Sequence, residues 1–198
     1  MSAARVGRVR RDTRETQLEL ELELDGGNVE VTTGLPFFDH LLEQIARHGR
    51  LGLRVHAVGD VLVDAHHLTE DVGIAFGQAL DDALGERVGI ERFGQATVPL
   101  DETLIEVALD LSGRGSAWVE LGGERALGLG TPPVATEHVE EFLAGLARTG
   151  RLTLHVRSLR GHNTHHQLEA TAKALGRALR AAVAPSGDAT IPSTKGSL

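Results

Sequence analysis

The chain has no cysteine and no tyrosine, and only one tryptophan and one methionine. Without cysteine there is neither a disulfide frame nor a thiolate metal site. Any bound metal must be held by imidazole and carboxylate, a donor set that suits Mn, Fe, Co, Ni or Zn. Positive charge is also short, with 20 Lys and Arg against 28 Asp and Glu and a formal net of −8. That balance argues against nucleic acid or an anionic membrane as the main partner, yet leaves room for an anionic small substrate held by a few placed basic side chains. No apolar run approaches a membrane span, and Met1 to Arg14 lack the apolar region of a signal peptide. The expectation is a soluble cytoplasmic protein. What the chain does have is histidine, ten in all, and they cluster.

One pattern is written twice. Asp64-Ala65-His66-His67-Leu68-Thr69-Glu70-Asp71 is followed much later by Asn163-Thr164-His165-His166-Gln167-Leu168-Glu169-Ala170. Both read His-His-x-x-Glu at the head of a segment with helical periodicity. Helical positions i and i+4 lie one above the other, whereas adjacent residues point about 100° apart. His66 with Glu70, and His165 with Glu169, can therefore grip one ion from one face, while His67 and His166 must look elsewhere. That geometry suggests two ions, or two faces of a subunit contact.

Around these motifs the chain alternates between strand and helix. Arg5 to Thr16 reads as a strand. Gln17 to Leu24 alternates leucine with glutamate, a half-buried strand with a solvated acidic face. Asp25-Gly26-Gly27-Asn28 has turn chemistry, and Val29 to Thr33 is expected as the hairpin partner. Helices are expected over Phe37 to His48, ending at Gly49, and over His66 to Leu84, with a strand at Leu51 to Val58 between them. The second half repeats the order. Ala96 to Leu100 and Thr103 to Leu111 read as strands, with Ala117 to Leu121 as partner of the latter across Ser112-Gly113-Arg114-Gly115. Helix Glu137 to Ala147, strand Leu152 to Leu159 and helix Thr164 to Val183 follow, and the Pro-, Ser- and Gly-rich tail from Ala184 has no regular pattern.

Aligning the halves makes the repeat concrete. His66 to His165 and Glu70 to Glu169 are both offset by 99 (165 − 66, 169 − 70), and His40 to His138 by 98 (138 − 40). Each half is then a β-β-α-β-α unit with one histidine on its first helix and His-His-x-x-Glu on its second. The fold class expected is α+β, internally duplicated, with helices on one face of a mixed sheet. The repeats span residues 1–92 and 93–184, and the tail is 185–198. A plausible division puts His66, Glu70 and His138 on one ion and His165, Glu169 and His40 on the other, with His67 and His166 each completing a site of the same or an adjacent subunit. A lone histidine near a helix start is more often a cap or surface residue, but matched pairs at matched offsets are hard to explain as packing. His56 and His155 fall in strands and His162 has no matched partner, so for these three a structural role is expected.

Three basic positions suit a phosphate. Arg92 lies between the halves in Gly89-Ile90-Glu91-Arg92-Phe93-Gly94, Arg114 lies in a Gly-flanked turn, and the tail offers Pro192-Ser193-Thr194-Lys195-Gly196. Each alone is a weak signal.

Taken with Glu15-Thr16, Gly34-Leu35-Pro36-Phe37-Phe38-Asp39-His40-Leu41-Leu42, Asp110-Leu111-Ser112-Gly113-Arg114 and Gly161-His162, these stretches resemble imidazoleglycerol-phosphate dehydratase of histidine biosynthesis, over nearly the whole chain. Two departures are small: Leu41 stands where the family usually has Met, and the loop from Ala126 to Pro133 carries no signature. No phosphatase domain precedes the chain, as in bifunctional relatives, so a monofunctional enzyme is expected. The resemblance implies a hydro-lyase that converts D-erythro-imidazole-glycerol phosphate to imidazole-acetol phosphate with two Mn²⁺ ions per site. The hydrogen to be lost is barely acidic, and a metal-bound imidazolate would expel the hydroxyl to a diazafulvene that acidifies it. It further implies His40, His66, His67, Glu70, His138, His165, His166 and Glu169 as metal ligands. Glu15, Lys173, Glu70 and Glu169 would be catalytic. Glu15, His40, His48, His66, Glu70, Arg92, Arg114, His165, Lys173, Ser193, Thr194 and Lys195 would contact substrate. The family forms its sites between subunits of a 24-mer built from trimers. Two rival readings remain at this point: a metal-storage assembly, against which the phosphate residues weigh, and a di-metal hydrolase, against which the scarcity of clustered Asp weighs.

Overall fold

The computed structural model of the protein describes residues 4–122 and 128–196. Met1 to Ala3, and Ala126 and Leu127 of the loop singled out above, lie outside the described residues. The elements run β1 (Val6–Asp12), β2 (Thr16–Glu23), β3 (Val29–Thr32), α1 (Pro36–Gly49), β4 (Gly52–Gly59), α2 (His66–Leu84), β5 (Phe93–Leu100), β6 (Thr103–Asp110), β7 (Ser116–Glu120), α3 (Thr136–Thr149), β8 (Thr153–Arg160) and α4 (Thr164–Ala182). They build two four-stranded mixed sheets in the orders β1-β2-β4-β3 and β5-β6-β8-β7. The β-β-β-α-β-α order is thus written twice, with the three strands ahead of the first helix that the alternation marks in each half.

Strand alternation sets which face is covered. Leu18, Leu20, Leu22 and Leu24 of the leucine–glutamate run are buried. Glu21 on the opposite face lies between Arg8 and Arg54, so that face is a solvated ion-pair surface. Helix α1 starts with a proline in its first turn, and the Asp39 carboxylate accepts from the Thr33 backbone N–H at 2.9 Å and the Thr33 hydroxyl at 2.6 Å. It ends at Arg50, whose left-handed backbone (φ 53°) turns the chain into β4.

Two pairing expectations are corrected. Val29–Thr32 is no hairpin partner of β2; β3 lies parallel to β4, Val31 opposite Val55. Likewise β7 lies parallel to β8, Trp118 opposite His155, rather than against β6. The reason is connectivity. Helix α1 separates β3 from β4, and α3 separates β7 from β8, and a crossover helix brings its flanking strands together parallel. Both edges of β2 are in any case filled by β1 and β4.

The repeats meet through their helices, α2 against α3 and α1 against α4. Phe142 of α3 meets Phe38 from α1 (centroids 5.4 Å) and Phe76 from α2 (6.2 Å) in T-shaped contacts, so one aromatic cluster joins both halves. Each sheet is drawn onto its helix at one glycine. A Cβ on Gly7 would lie 1.9 Å from the Ala79 carbonyl oxygen of α2, and one on Gly94 would lie 1.9 Å from that of Ala178 in α4. Replacing Gly94 with Ala must push strand and helix apart, at about 3 kcal/mol, which lowers the melting temperature by about 6–12 °C in a chain of this size. Thermal unfolding followed by circular dichroism checks this; an unchanged midpoint would mean that the contact is looser than described.

Candidate active site

The site is assembled at helix starts. Asn163 accepts from the His166 backbone N–H at 3.2 Å and so caps α4, presenting His165 and His166 on its first turn. Asp64 accepts from the His66 N–H at 3.2 Å ahead of α2. His40 stands in the second turn of α1, facing α4.

His40, His165 and Glu169 converge, each offering a ligating atom within 4.8 Å of the others. The Glu169 Oε2 atom lies 2.9 Å from His165 Nε2 and 3.3 Å from His40 Nε2. Its other oxygen takes the Lys173 ammonium at 2.7 Å. Burial works against the Glu169 charge, but hydrogen bonds from Lys173, His40 and His165 outweigh it and hold the carboxyl down at about 2. The residue therefore stays anionic and can divide its two oxygens between a cation and a lysine.

The other expected group is looser. His66 Nε2 is 4.0 Å from Glu70, the His66 and His138 ring centroids are 6.4 Å apart, and Glu70 also takes Arg148 at 3.1 Å. His138 has turned its Nε2 to Asp64 Oδ1 at 2.9 Å, while its Nδ1 accepts from the Ala135 N–H. Asp64 was not among the expected site residues, although it stands two places before the His-His pair. Each group takes its lone histidine from the opposite repeat, as the sequence division anticipates.

His67 and His166 stand apart from both. Their rings lie at 87° to those of His66 and His165, with centroids 6.0 and 6.2 Å away. His67 Nδ1 meets Asp60 Oδ2 at 3.0 Å, and this hydrogen bond, ahead of the charge of Glu15, raises the ring above the ordinary histidine value. His166 Nδ1 meets Glu102 Oε2 at 2.7 Å, which with a backbone hydrogen bond from Asn163 takes that carboxyl to about 2. Asp60 and Glu102 carried no motif and were missed. The one signal available was that Glu102-Thr103 echoes Glu15-Thr16.

Glu15 occupies the β1–β2 turn, its carboxylate 3.9 Å from His67 Nδ1. The buried Asp71 ties that hairpin to α2, accepting from Arg11 Nε at 2.9 Å and from the Thr16 hydroxyl. His48 near the end of α1 is pushed below the usual histidine value by burial and then by the charges of Lys173, Arg177 and Arg47.

The phosphate candidates gather elsewhere. Arg92, in a left-handed conformation, makes a two-point contact with Asp110 (2.7 and 3.1 Å) and donates through Nη1 to the Pro192 carbonyl at 2.7 Å. It thereby holds the tail. There the Lys195 N–H donates to Ser193 Oγ at 3.2 Å, with Thr194 exposed beside them. Arg114 is exposed and reaches Asp110 at 3.9 Å, so it is the freer of the two guanidinium groups. The Arg92 backbone N–H donates to the Ala182 carbonyl at the end of α4. Thirteen residues of helix separate Ala182 from Glu169 (182 − 169), about 20 Å along the axis. The basic cradle and the His–Glu group of one chain therefore stand at opposite ends of α4.

The sequence profile described as imidazoleglycerol-phosphate dehydratase matches residues 33–179. The chain belongs to the imidazoleglycerol-phosphate dehydratase family. It is 52% identical over 198 residues to the dehydratase of Moorella thermoacetica, covering 96% of each chain. It is 47% identical to that of Methanopyrus kandleri, covering 100% of this chain and 98% of that one. The crystal structure of the Pyrococcus furiosus dehydratase in complex with (S)-C348 superposes with a TM-score of 0.84 at 38% identity, over 96% of this chain and 100% of that one. The Staphylococcus aureus enzyme gives 0.81 at 35% identity, over 91% and 99%. The chain is accordingly a dehydratase of histidine biosynthesis, a lyase acting on a phosphorylated imidazole. No helix of the described residues is long and apolar enough to cross a membrane.

Proposed function

We propose that this dehydratase works with two Mn²⁺ ions per active site, in sites shared between subunits of a cytoplasmic homo-oligomer, with a 24-mer as the complete particle. The residues fit such a pair. The donors are all imidazole nitrogen and carboxylate oxygen, and three of them already stand within 4.8 Å of one another. His40, His165 and Glu169 would hold one ion and His66, Glu70 and His138 the other, with His67 and His166 reaching sites of a neighbouring copy. When bound, the two cations would favour the anionic substrate ring from which the hydroxyl can leave.

The chain's own groups do the rest. Lys173, seated on the anionic Glu169, is the proton donor to the departing hydroxyl, and Glu15 is the acceptor for the carbon-bound proton. His48, pushed toward its neutral form, contacts the substrate near Lys173. Arg114, Ser193, Thr194 and Lys195 hold the phosphate, and Arg92 keeps the tail in place for it. The observation that carries the shared site is the ~20 Å between the basic cradle and the His–Glu group within one chain. No single imidazole-glycerol phosphate can touch both, and this supports a cradle of one subunit serving the His40, His165 and Glu169 group of another. The tail, residues 185–198, then acts on the neighbour's substrate, and the repeats 1–92 and 93–184 supply the ligands. Turnover of imidazole-glycerol phosphate by stripped protein refilled with Mn²⁺, followed by the absorbance of the product enol in alkali, tests the reading. Activity that returns with Mn²⁺ supports it, and full activity after exhaustive stripping would end it.

A further inference from the structure

The hairpins of the two repeats superpose in register. Gly7 pairs with Leu22 and Gly94 with Leu109, each shifted by 87 (94 − 7, 109 − 22). The same shift carries Glu15 onto Glu102 (102 − 15) and Thr16 onto Thr103. The two glutamates are thus one structural position used in two ways. Glu102 is locked, with Oε2 on His166 Nδ1 at 2.7 Å and Oε1 accepting from the Asn163 N–H at 3.1 Å and the Thr103 hydroxyl at 3.0 Å. Glu15 has no such hold on its ring; it stops 3.9 Å from His67 Nδ1 and is half exposed. In its place Asp60 grips that nitrogen, at 3.0 and 3.3 Å. Asp60 has no acidic counterpart, since β8 is followed by Gly161 and His162.

We propose that Asp60 and Glu102 are positioning residues that aim His67 and His166 at metal ions, and that Asp60 relieves Glu15 of the task its repeat-mate still performs. The inference rests on the metal reading above. A carboxylate that accepts from Nδ1–H fixes the tautomer, so the lone pair is left on Nε2, and it also orients the ring. Both rings stand at 87° to the neighbouring histidine of their own chain, so they do not share its direction. Asp101, an exposed side chain 3.7 Å from His166 Nε2, is the other carboxylate near that atom. The Asp60 backbone N–H donates to the Glu15 carbonyl at 3.1 Å, so the substituting carboxylate and the released one are held side by side.

Calorimetric titration of stripped protein with Mn²⁺, paired with turnover of the refilled enzyme, tests this. Glu102→Ala should weaken Mn²⁺ binding about 10- to 100-fold. Glu102→Gln, whose amide oxygen still accepts from Nδ1–H, should recover much of it, which a loss through misfolding would not allow. Asp60→Ala should bind Mn²⁺ nearly as wild type while turnover collapses, because Glu15 swings onto the vacated ring. The double variant Asp60→Ala/Glu15→Ala should then lose affinity as Glu102→Ala does. Unchanged affinity in Glu102→Ala, or a double variant no weaker than Asp60→Ala, overturns the positioning role while leaving the metal reading intact. Wild-type protein that takes up no Mn²⁺ overturns both.

Discussion

Glu169→Gln should cut turnover by at least about 1,000-fold while leaving the subunit folded. The side chain keeps its shape and loses only its charge, yet that charge serves three neighbours. One oxygen faces His165 and His40, and the other takes the Lys173 ammonium at 2.7 Å. A neutral amide would turn an N–H₂ toward one of these groups and leave Lys173 half buried without its counter-ion, and removing one partner of such a pair costs more than the pair is worth. Both the ion site and the proposed proton donor are struck together. Linkage has a definite sign here. A carboxyl held at about 2, well below its ordinary value, contributes stability that is present above the ordinary value and lost only as the pH falls through about 2. Glu169 is therefore ionised throughout the neutral range, and a fall in rate between pH 7 and 5 would report histidine rather than this group. Steady-state kinetics of the variant with saturating Mn²⁺ decide the matter; near-normal turnover would remove Glu169 from the site.

Chelation should break the assembled particle into smaller species, and Mn²⁺ should restore it. Ligands that stand on two chains bind one ion only when the chains are together, so metal affinity is also assembly affinity. A ligand present at a thousand times its dissociation constant contributes about 4 kcal/mol per site. Withdrawing that from many sites in a closed shell is enough to open it. Size-exclusion chromatography with light scattering, with and without chelator, gives the answer directly. One unchanged particle under both conditions would mean that protein surfaces alone hold the assembly.

Much of this was legible in the chain itself. The i, i+4 spacing put His66 over Glu70 and His165 over Glu169, and the matched offsets named His40 and His138 as the lone partners. The structure brings His40 onto Glu169 and His138 beside His66 accordingly. Helix starts and the leucine–glutamate strand were equally plain, because periodicity is a local signal. Pairing is not local. Nothing within Val29–Thr32 reveals that its neighbour is β4, a helix further on. Glu102 escaped for the same reason, since it lies 64 residues before its ring; Asp60 lies only seven residues before His67 but belongs to no motif. Arg92 was singled out for a phosphate, and its guanidinium is largely engaged by Asp110 and the Pro192 carbonyl, so it serves the tail first.

The crossing of the helices has a genetic consequence. Because α1 lies on α4 and α2 on α3, neither repeat possesses a complete cluster; each lends a histidine to the other's. On the metal reading proposed above, a harmful change in the lone histidine of one copy would disable chemistry encoded mainly in its twin. Duplicated genes ordinarily let one copy drift while the other keeps the work. Here the two halves share one fate, and selection acts on them as a single heritable unit.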